Sequence, residues 1–281
     1  MTLALTLVGA GGKMGTRITD ALADDSAYDV RHVEPGEDGR ERLRERGVEP
    51  IPLDDALDGT DAVVMAVPDE VIGDVCTDVI ERLDGDALIL LLDPAAAYAG
   101  ALPDSDGVSY VVAHPCHPPL FTDGLDVDPD ARANDYFGGD AAQSVVCALH
   151  RGDEADYDRG ARIARDVYAP VIDVHRLTTE QMAILEPALV ETVTATLLYA
   201  MREGLERAVE MGVPEAAARD FLYGHLRTEA AIVFGEADFP LSDAAQAAVE
   251  DAIDDIFTDG WADAVFDREA VRESTARIAS E

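Results

Sequence analysis

Short apolar runs alternate with amphipathic stretches through the first 177 residues of the chain. The runs are rich in Val, Ile and Leu and are bounded by Gly, Pro or Asp. This alternation is typical of an α/β fold in which helices cover both faces of a parallel sheet. The pattern predicts strands at Leu3–Val8, Asp29–Val33, Asp61–Val67, Leu88–Leu92, Ser109–Ala113, Ser144–Leu149 and Val171–Val174. We therefore expect a doubly wound sheet in residues 1–177.

Beyond residue 177 the strand-like runs disappear and the pattern becomes helical. Apolar residues recur at helical spacing, as Met182, Leu185, Leu189, Val193 and Leu197. This spacing predicts a long helix that is capped by Thr178 or Thr179, kinked at Pro187 and ended by Gly212. Two or three more helices are predicted, near residues 214–234, 242–257 and 261–278. An all-helical second domain, residues 178–281, is expected to pack against the first.

A glycine-rich turn follows the first predicted strand and leads into a helix predicted over residues 16–23. Glycines in such a turn let the backbone approach a pyrophosphate, and the helix N-terminus supplies N–H donors. The order of strand, glycines and helix therefore predicts a dinucleotide site. Its predicted residues are Gly9, Gly11, Gly12, Lys13, Met14 and Gly15. Lys13 reads equally well as a phosphate contact or as a solvated lysine.

Three further positions extend the predicted cofactor cleft. Glu34 ends the second predicted strand, where an acid commonly accepts hydrogen bonds from the adenosine ribose hydroxyls. Its carboxylate would repel a 2′-phosphate, so NAD is favoured over NADP, although Arg40 and Arg42 leave NADP open. The turns Val67–Pro68 and Asp93–Pro94 are predicted to line the cleft, because ligands bind outside the carboxyl ends of parallel strands. A proline in a first helical turn also needs no functional reason.

Two histidines, His114 and His117, follow the fifth predicted strand in a segment stiffened by prolines. Oxidation of an alcohol needs a base for the hydroxyl proton while hydride leaves, and histidine titrates in the useful range. We predict a catalytic acid/base role for one or both, with a mere turn hydrogen bond as the alternative for His114. Cys116, between them, is a weaker candidate for a thiol nucleophile, since small buried thiols are common.

The second domain offers a few candidate groups. Glu186 precedes the kinking proline and is predicted to be catalytic or substrate-binding, with a solvated glutamate as the alternative. His225 and Glu229 lie four residues apart and would share one helix face, as metal ligands or as an ordinary surface pair. A divalent metal is an open possibility, with ligands drawn from His117, Glu186, His225 and Glu229. Lys13 is the only lysine, so no lysine in this domain can act as a base.

The charge balance restricts the partners. With 21 basic and 58 acidic residues the formal net charge is −37, which excludes nucleic acid and anionic membranes as expected partners. Cys76, Cys116 and Cys147 are odd in number and widely spaced, which favours a reducing compartment. The apolar start resembles a strand more than a signal peptide, and no uninterrupted run approaches the roughly 20 apolar residues of a membrane span. A cytoplasmic location is therefore expected.

Several motifs together resemble the D-apionate oxidoisomerase family, a group often described loosely as phosphogluconate dehydrogenase-like or semialdehyde dehydrogenase-like. The resemblance covers most of the chain, and its most specific element is AHPCHPPLF. The others are GAGGKMG, AVPDEVI, DYFGG at 135–139, HRLTTEQMAILEPALVET and DFLYGHLRTEAAIVFG.

The resemblance implies an N-terminal Rossmann domain, a C-terminal all-helical domain of the 6-phosphogluconate dehydrogenase type, and a homodimer. It also implies NAD-dependent oxidation of a small sugar acid, coupled to a skeletal rearrangement. The true 6-phosphogluconate dehydrogenases rely on a lysine in the long helix, which this sequence lacks, so decarboxylating chemistry is not expected. Two alternatives are a dihydrodipicolinate reductase-like enzyme and a non-catalytic NAD sensor or scaffold.

Of the basic residues all but Lys13 are arginine, and this bias, with the acidity, indicates adaptation to a high-salt cytoplasm where self-repulsion is screened. We predict that the free energy of unfolding rises with KCl concentration. Thermal unfolding followed by circular dichroism across a KCl series measures this. Full stability in dilute buffer would contradict the prediction.

Overall fold

A computed structural model describes residues 2–122, 125 and 127–280 of the chain. Within them seven strands form one sheet, in the spatial order β2-β1-β3-β4-β5-β6-β7. The strands are β1 (Leu3–Val8), β2 (Tyr28–Val33), β3 (Ala62–Met65), β4 (Ala87–Leu91), β5 (Val108–Pro115), β6 (Gln143–Arg151) and β7 (Val171–Leu177). The predicted α/β class, a Rossmann doubly wound sheet followed by helices, is confirmed.

Helices occupy most of the connections between the strands, and only helices and turns follow the last strand within the described residues. Those of the sheet region are α1 (Lys13–Leu22), α2 (Glu37–Glu45), α3 (Leu53–Leu57), α4 (Ile72–Ile80), α5 (Ala95–Tyr98), α6 (Pro129–Asn134) and α7 (Glu154–Val167). Those after it are α8 (Thr179–Ala183), α9 (Ala195–Glu210), α10 (Glu215–Val233), α11 (Asp243–Ile256), α12 (Trp261–Val265) and α13 (Arg268–Ile278).

Strand direction decides which loops share an edge of the sheet. Strands β1 to β5 are mutually parallel, and β6 pairs antiparallel with β5, matching Pro115 with Val145. The connection from β5 to β6 therefore leaves and re-enters the sheet at one edge, where the parallel strands have their carboxyl ends. The order of strands reverses between β1 and β3, which is where doubly wound sheets bind ligands.

The central strands β1, β3, β4 and β5 are largely buried on both faces, as their continuous apolar runs predict. All five residues of β4 are buried, and they alternate between two clusters. Leu88 and Leu90 pack toward α1 and α7, while Ile89 and Leu91 pack toward α3 and α4. These two cores hold the carboxyl edge rigid.

Several predicted boundaries need correction. Helix α1 begins at Lys13 and not at Thr16, so part of the glycine motif is helical. Strand β5 extends through His114 and Pro115, because β6 continues to pair with these residues. The helix predicted over 261–278 is two helices, since Asp267 accepts hydrogen bonds from the backbone N–H groups of residues 269 and 270 and so starts α13. Strand β1 has the predicted bounds, and the remaining strands differ from prediction by one to three residues at their ends.

The predicted long helix is realised with an unusual centre. Thr178 and Gln181 form a reciprocal capping box at its start, and Gly212 follows its end with a φ of 99°. Around Pro187 the turns of residues 184–194 are π-helical, because proline lacks the N–H of a regular turn. The Thr192 hydroxyl donates to the Pro187 carbonyl at 2.6 Å.

The described chain divides into two compact units, Met1–Ile184 with Arg272–Glu281, and Leu185–Val271. The division falls seven residues after the boundary expected at residue 177, because Met182 and Ala183 of α8 are buried with the sheet. By length and composition one stretch, Thr179–Glu210, could cross a bilayer, with a mean hydropathy of 1.3 and 22% of its window buried. Glutamates interrupt its apolar runs, which is why no uninterrupted run of membrane length was expected from the sequence.

Candidate active site

The glycine turn between β1 and α1 brings backbone against backbone. A Cβ on Gly9, whose φ is 78°, would lie 2.3 Å from the Ala66 carbonyl oxygen, and one on Gly15 would lie 2.2 Å from the Gly9 oxygen. A Cβ on Gly11 would meet the backbone of Gly39 in α2. At Gly12, the N-cap of α1, the nearest atom would be 3.2 Å away. Three glycines thus serve the packing of the turn, and Gly12 leaves the helix N-terminus open to a ligand.

The Glu34 side chain is hydrogen-bonded to this turn. One carboxylate oxygen accepts a hydrogen bond from the Gly11 N–H at 2.9 Å, and the other accepts from the Gly36 N–H at 2.8 Å. The two arginines that kept NADP open also bind backbone here, Arg40 through the Glu34 carbonyl and Arg42 through the Gly11 carbonyl. The carboxylate therefore braces the glycine turn, a role that the sequence pattern did not indicate, and lies where a ribose is expected.

The two proline turns lie at the same edge of the sheet. Val67 touches the glycine turn, since a Cβ on Gly9 would lie 2.9 Å from a Val67 methyl carbon. Pro68 precedes a single 3₁₀ turn that leads into α4. Asp93 accepts a hydrogen bond from the Ala95 N–H at 2.7 Å, and with Pro94 it starts α5. Both turns follow strands parallel to β1, so they end beside the glycine turn, and their contact with a cofactor stays a prediction.

His114, at the end of β5, is oriented by a backbone carbonyl of the neighbouring strand end. Its Nδ1 lies 2.8 Å from the Leu92 carbonyl oxygen and 3.9 Å from an Asp93 carboxylate oxygen. A carbonyl oxygen only accepts, so Nδ1 carries the proton and Nε2 carries the lone pair of the neutral ring. The side chain is half-buried, with 22% of its surface exposed. This is the tautomer that a general base needs.

His117 lies beside it under a similar constraint. The two rings meet edge to face, with centroids 6.3 Å apart. His117 has a φ of 61°, in the left-handed region that residues other than glycine seldom adopt. Its Nδ1 lies 3.1 Å from the Phe137 carbonyl oxygen. Each imidazole thus uses Nδ1 to bind a main-chain carbonyl, which leaves Nε2 of each to carry the lone pair of the neutral ring.

Phe137 belongs to a loop, residues 135–141, that sequence reasoning did not assign to the site. The Lys13 ammonium lies 3.5 Å from the centre of the Phe137 ring, and the same ring meets His117 edge-on at 5.7 Å. Arg17 of α1 donates to the carbonyls of Phe137 and Gly138. The loop therefore joins the glycine turn to the histidines.

Asp135 organises that loop. Its carboxylate accepts hydrogen bonds from the four backbone N–H groups of Phe137, Gly138, Asp140 and Ala141, at 2.9 to 3.0 Å. Burial by itself would raise the pKa of Asp135, but the four amide hydrogen bonds outweigh burial and lower it. An Asp followed by paired glycines is a turn signal, and it was the available hint in the sequence.

The remaining predicted groups are not gathered into a metal centre. Within the described ranges, no three His, Cys, Asp or Glu side chains are placed to hold one ion. The His225 Nδ1 lies 2.8 Å from the Phe221 carbonyl of its own helix, which Glu229 shares one turn later. Glu186 is half-buried in the π-helical turns of the second unit. Cys116 is exposed, and its backbone N–H donates to the Ser144 carbonyl.

Comparison with known families matches this architecture. Residues 126–279 match the family model described as the phosphogluconate dehydrogenase (decarboxylating) C-terminal domain. Residues 5–94, which include the glycine turn and Glu34, match the model described as NADP oxidoreductase, coenzyme F420-dependent. Both models describe oxidoreductases or their domains.

Curated relatives are more specific. D-apionate oxidoisomerases from Cupriavidus necator and Rhizobium rhizogenes are 46% and 44% identical to this chain over 98% of both proteins. The chain belongs to the D-apionate oxidoisomerase family. A crystal structure from Cupriavidus necator, titled a semialdehyde dehydrogenase NAD-binding protein in complex with calcium and NAD, superposes with a TM-score of 0.94 at 45% identity. That match covers 99% of this chain and 100% of the other.

Membership of this family confirms the resemblance expected from the motifs and the assignment as an oxidoreductase. The single lysine of the chain, Lys13, lies at the start of α1, outside residues 126–279 that match the phosphogluconate dehydrogenase model.

The glycine geometry generates a paired prediction. Gly15→Ala should lower the free energy of unfolding by about 1 to 3 kcal/mol, because the new methyl group would overlap fixed backbone. Gly12→Ala should lower it by about 1 kcal/mol or less, because its Cβ has more room. Chemical denaturation of both variants measures the difference. Equal losses would show that the close approach at Gly15 does not limit the turn.

Proposed function

We propose that this family member is an NAD-dependent oxidoisomerase acting on a small branched polyhydroxy acid, with D-apionate as the first candidate. The observation that carries the proposal is the pair of imidazoles, His114 and His117, held beside a dinucleotide-type glycine turn with Nδ1 of each on a main-chain carbonyl. The names of the curated relatives support the choice of substrate.

The cofactor proposal rests on the fit of the turn and on the charge of Glu34. NAD, when bound, supplies the acceptor for the hydride that leaves the alcohol carbon. The N–H groups at the start of α1 would hold the pyrophosphate, with Lys13 beside it. The Glu34 carboxylate would accept from the adenosine ribose and repel a 2′-phosphate, so NAD is proposed over NADP. The solved relative that contains NAD supports this choice.

The two histidines would divide the proton transfers. Oxidation of an alcohol releases a hydroxyl proton, and migration of a carbon group moves a second proton between oxygens. His114 Nε2 is proposed as the base for oxidation, since its ring lies at the end of a central strand and is half-buried. His117 is proposed to handle the proton of the rearrangement, because its ring lies 6.3 Å from that of His114. Glu186 remains a candidate for substrate binding.

No step is assigned to a metal. A divalent cation would polarise the carbonyl that forms. The solved relative from Cupriavidus necator is a complex with calcium and NAD. The described residues, however, offer no cluster of three ligands, and His225 is engaged with its own helix at Nδ1. Among the described residues no donor set is assigned to a metal, and the proposed chemistry is written for side chains.

The chemistry is tested by NADH formation with a panel of sugar acids, followed at 340 nm. D-Apionate is expected to be oxidised by the wild-type chain. His114→Asn should lower kcat by roughly 10² to 10⁴, because it removes the base but keeps a donor for the Leu92 carbonyl. His175→Asn is the matched control, as His175 is exposed on β7, and should retain activity.

Three results would count against this proposal. Full turnover in both His114→Asn and His117→Asn would reject the assignment of acid and base. Binding of NAD in a calorimeter without turnover of any acid would favour the sensor or scaffold alternative. A preference for NADP would overturn the role given to Glu34.

We further propose a homodimer in a cytoplasmic location, with residues 1–177 as the NAD-binding domain and residues 178–281 for substrate binding and dimerisation. The second unit leaves many large apolar side chains exposed, which monomers seldom do. Among them are Leu189, Val190, Leu198, Tyr199, Phe221, Phe234 and Ile256. A second copy of the chain would cover this surface and would explain the apolar stretch Thr179–Glu210 without a bilayer.

Light scattering should give about twice the 30.0 kDa of one chain. Leu198→Arg should shift the protein toward monomer, because it places a charge on the exposed apolar face of α9. Glu81→Arg, at the exposed end of α4, makes a larger charge change and should leave the dimer intact. A monomeric wild type would contradict the proposal.

A further inference from the structure

The 135–141 loop contains more fixed hydrogen bonds than a surface connection needs. Of the four amides that point at Asp135, two come from Phe137 and Gly138 before Gly139 and two come from Asp140 and Ala141 after it, so one carboxylate closes the whole turn. Both glycines have positive φ values, of 85° and 125°. The last part of the connection between β5 and β6, residues 135–141, is therefore a hydrogen-bonded turn that lies beside the histidines.

Two further contacts fix the loop to the sheet region. Gly138 packs on the fully buried Gln143, whose Nε2 would lie 2.2 Å from a Cβ at Gly138. Gln143 in turn donates to the Tyr168 carbonyl at 3.1 Å, and the Tyr168 hydroxyl donates to the Ala113 carbonyl at 3.1 Å. Ala113 immediately precedes His114. The loop and the strand that carries the histidines therefore share one buried support.

These contacts fix the position of one atom near the histidines, the carbonyl oxygen of Phe137. Phe137 turns its carbonyl toward His117 Nδ1 at 3.1 Å, and Arg17 donates to the same oxygen at 3.0 Å. Because that oxygen can only accept, it holds the proton on Nδ1 of His117. The ring of Phe137, on the other side of the same residue, contacts Lys13 of α1.

We propose that Asp135 is a positioning residue for the reaction: through the Phe137 carbonyl it keeps His117 in the Nδ1–H tautomer and so makes Nε2 the proton acceptor. This inference rests on the proposed function of His117. Asp135 itself acts only through the loop, in the way that a residue behind a catalytic imidazole sets its tautomer and orientation.

The bonding pattern shows why a carboxylate is required. One oxygen accepts from the N–H groups of Phe137 and Gly138, and the other accepts from those of Asp140 and Ala141. An asparagine would turn an NH₂ donor toward one of these pairs of N–H donors. Asp135→Asn therefore breaks half of the turn while it changes the side-chain volume very little.

The test is the tautomer of His117, read from long-range ¹H–¹⁵N correlations of the ¹⁵N-histidine-labelled full chain with its imidazoles neutral. His117→Asn assigns the signal. The wild type should show mainly the Nδ1–H form, and Asp135→Asn should shift His117 toward the Nε2–H form. In the same variant kcat should fall by on the order of tenfold or more, while the affinity for NAD, measured by calorimetry, should change by less than about twofold.

Asp140→Asn is the matched control. It removes the same charge from the same loop, and the described hydrogen bonds of this loop use only the Asp140 backbone N–H. In Asp140→Asn the tautomer of His117 and the kcat should equal those of the wild type. If the loss of a negative charge in the loop were sufficient, Asp135→Asn and Asp140→Asn would change the His117 tautomer and kcat equally.

Several outcomes overturn the inference. They are an Nε2–H tautomer in the wild type, an unchanged tautomer in Asp135→Asn, or an equal shift in Asp140→Asn. If Asp135→Asn does not fold, Arg17→Gln replaces it, since Arg17 holds the same carbonyl from α1, and an unchanged tautomer there would overturn the inference. If the wild type oxidises no sugar acid, the proposed function fails, and the tautomer still decides the positioning role.

Discussion

The candidate site depends on one constraint, the contact of bare backbone at the turn from β1 to α1. At Gly9 and Gly15 the polypeptide passes so close to itself that no side chain fits. This closeness aims the N-terminus of α1 at the carboxyl edge of the sheet, where the N–H groups of its first turn have no partners within the helix. Glu34 completes the arrangement by holding the Gly11 amide from the next strand. The close backbone contacts of the glycines and the hydrogen bond from Gly11 to Glu34 together give the turn the shape of a nucleotide cradle.

The reversal of chain direction between β5 and β6 supplies the second half of the site. Had β6 been parallel, the connection would have crossed to the opposite edge of the sheet. Because it is antiparallel, the connection stays at the edge where His114 and His117 lie, and it has room to form the turn closed by Asp135. Both imidazoles are then oriented by main-chain carbonyls, of Leu92 and Phe137, and the closest Asp93 oxygen lies 3.9 Å from His114 Nδ1.

The second unit exposes large apolar side chains although the chain as a whole is strongly acidic. The chain has a net charge of −37, which suits a heavily hydrated surface, yet helices α9 to α11 expose many large apolar side chains. The π-helical turns around Pro187 belong to the same stretch, where the helix widens around the missing N–H and the Thr192 hydroxyl donates to the Pro187 carbonyl. This exposed apolar surface is the observation on which the proposed homodimer rests.

The sequence by itself determined the α/β class, the glycine turn, Glu34 and the two histidines, because each depends on local signals: alternating apolar runs, glycines after a strand, and residues at strand ends. Its pattern also narrowed the helix cap to Thr178 or Thr179, of which the structure has Thr178, and placed the irregularity at Pro187. Only the tertiary structure decided the direction of β6, the role of Glu34 as a brace, and the contacts of Lys13 and His117 with Phe137. These depend on strand pairing and on contacts between residues that are 20 or more positions apart, such as the 120 between Arg17 and Phe137, which no local pattern encodes.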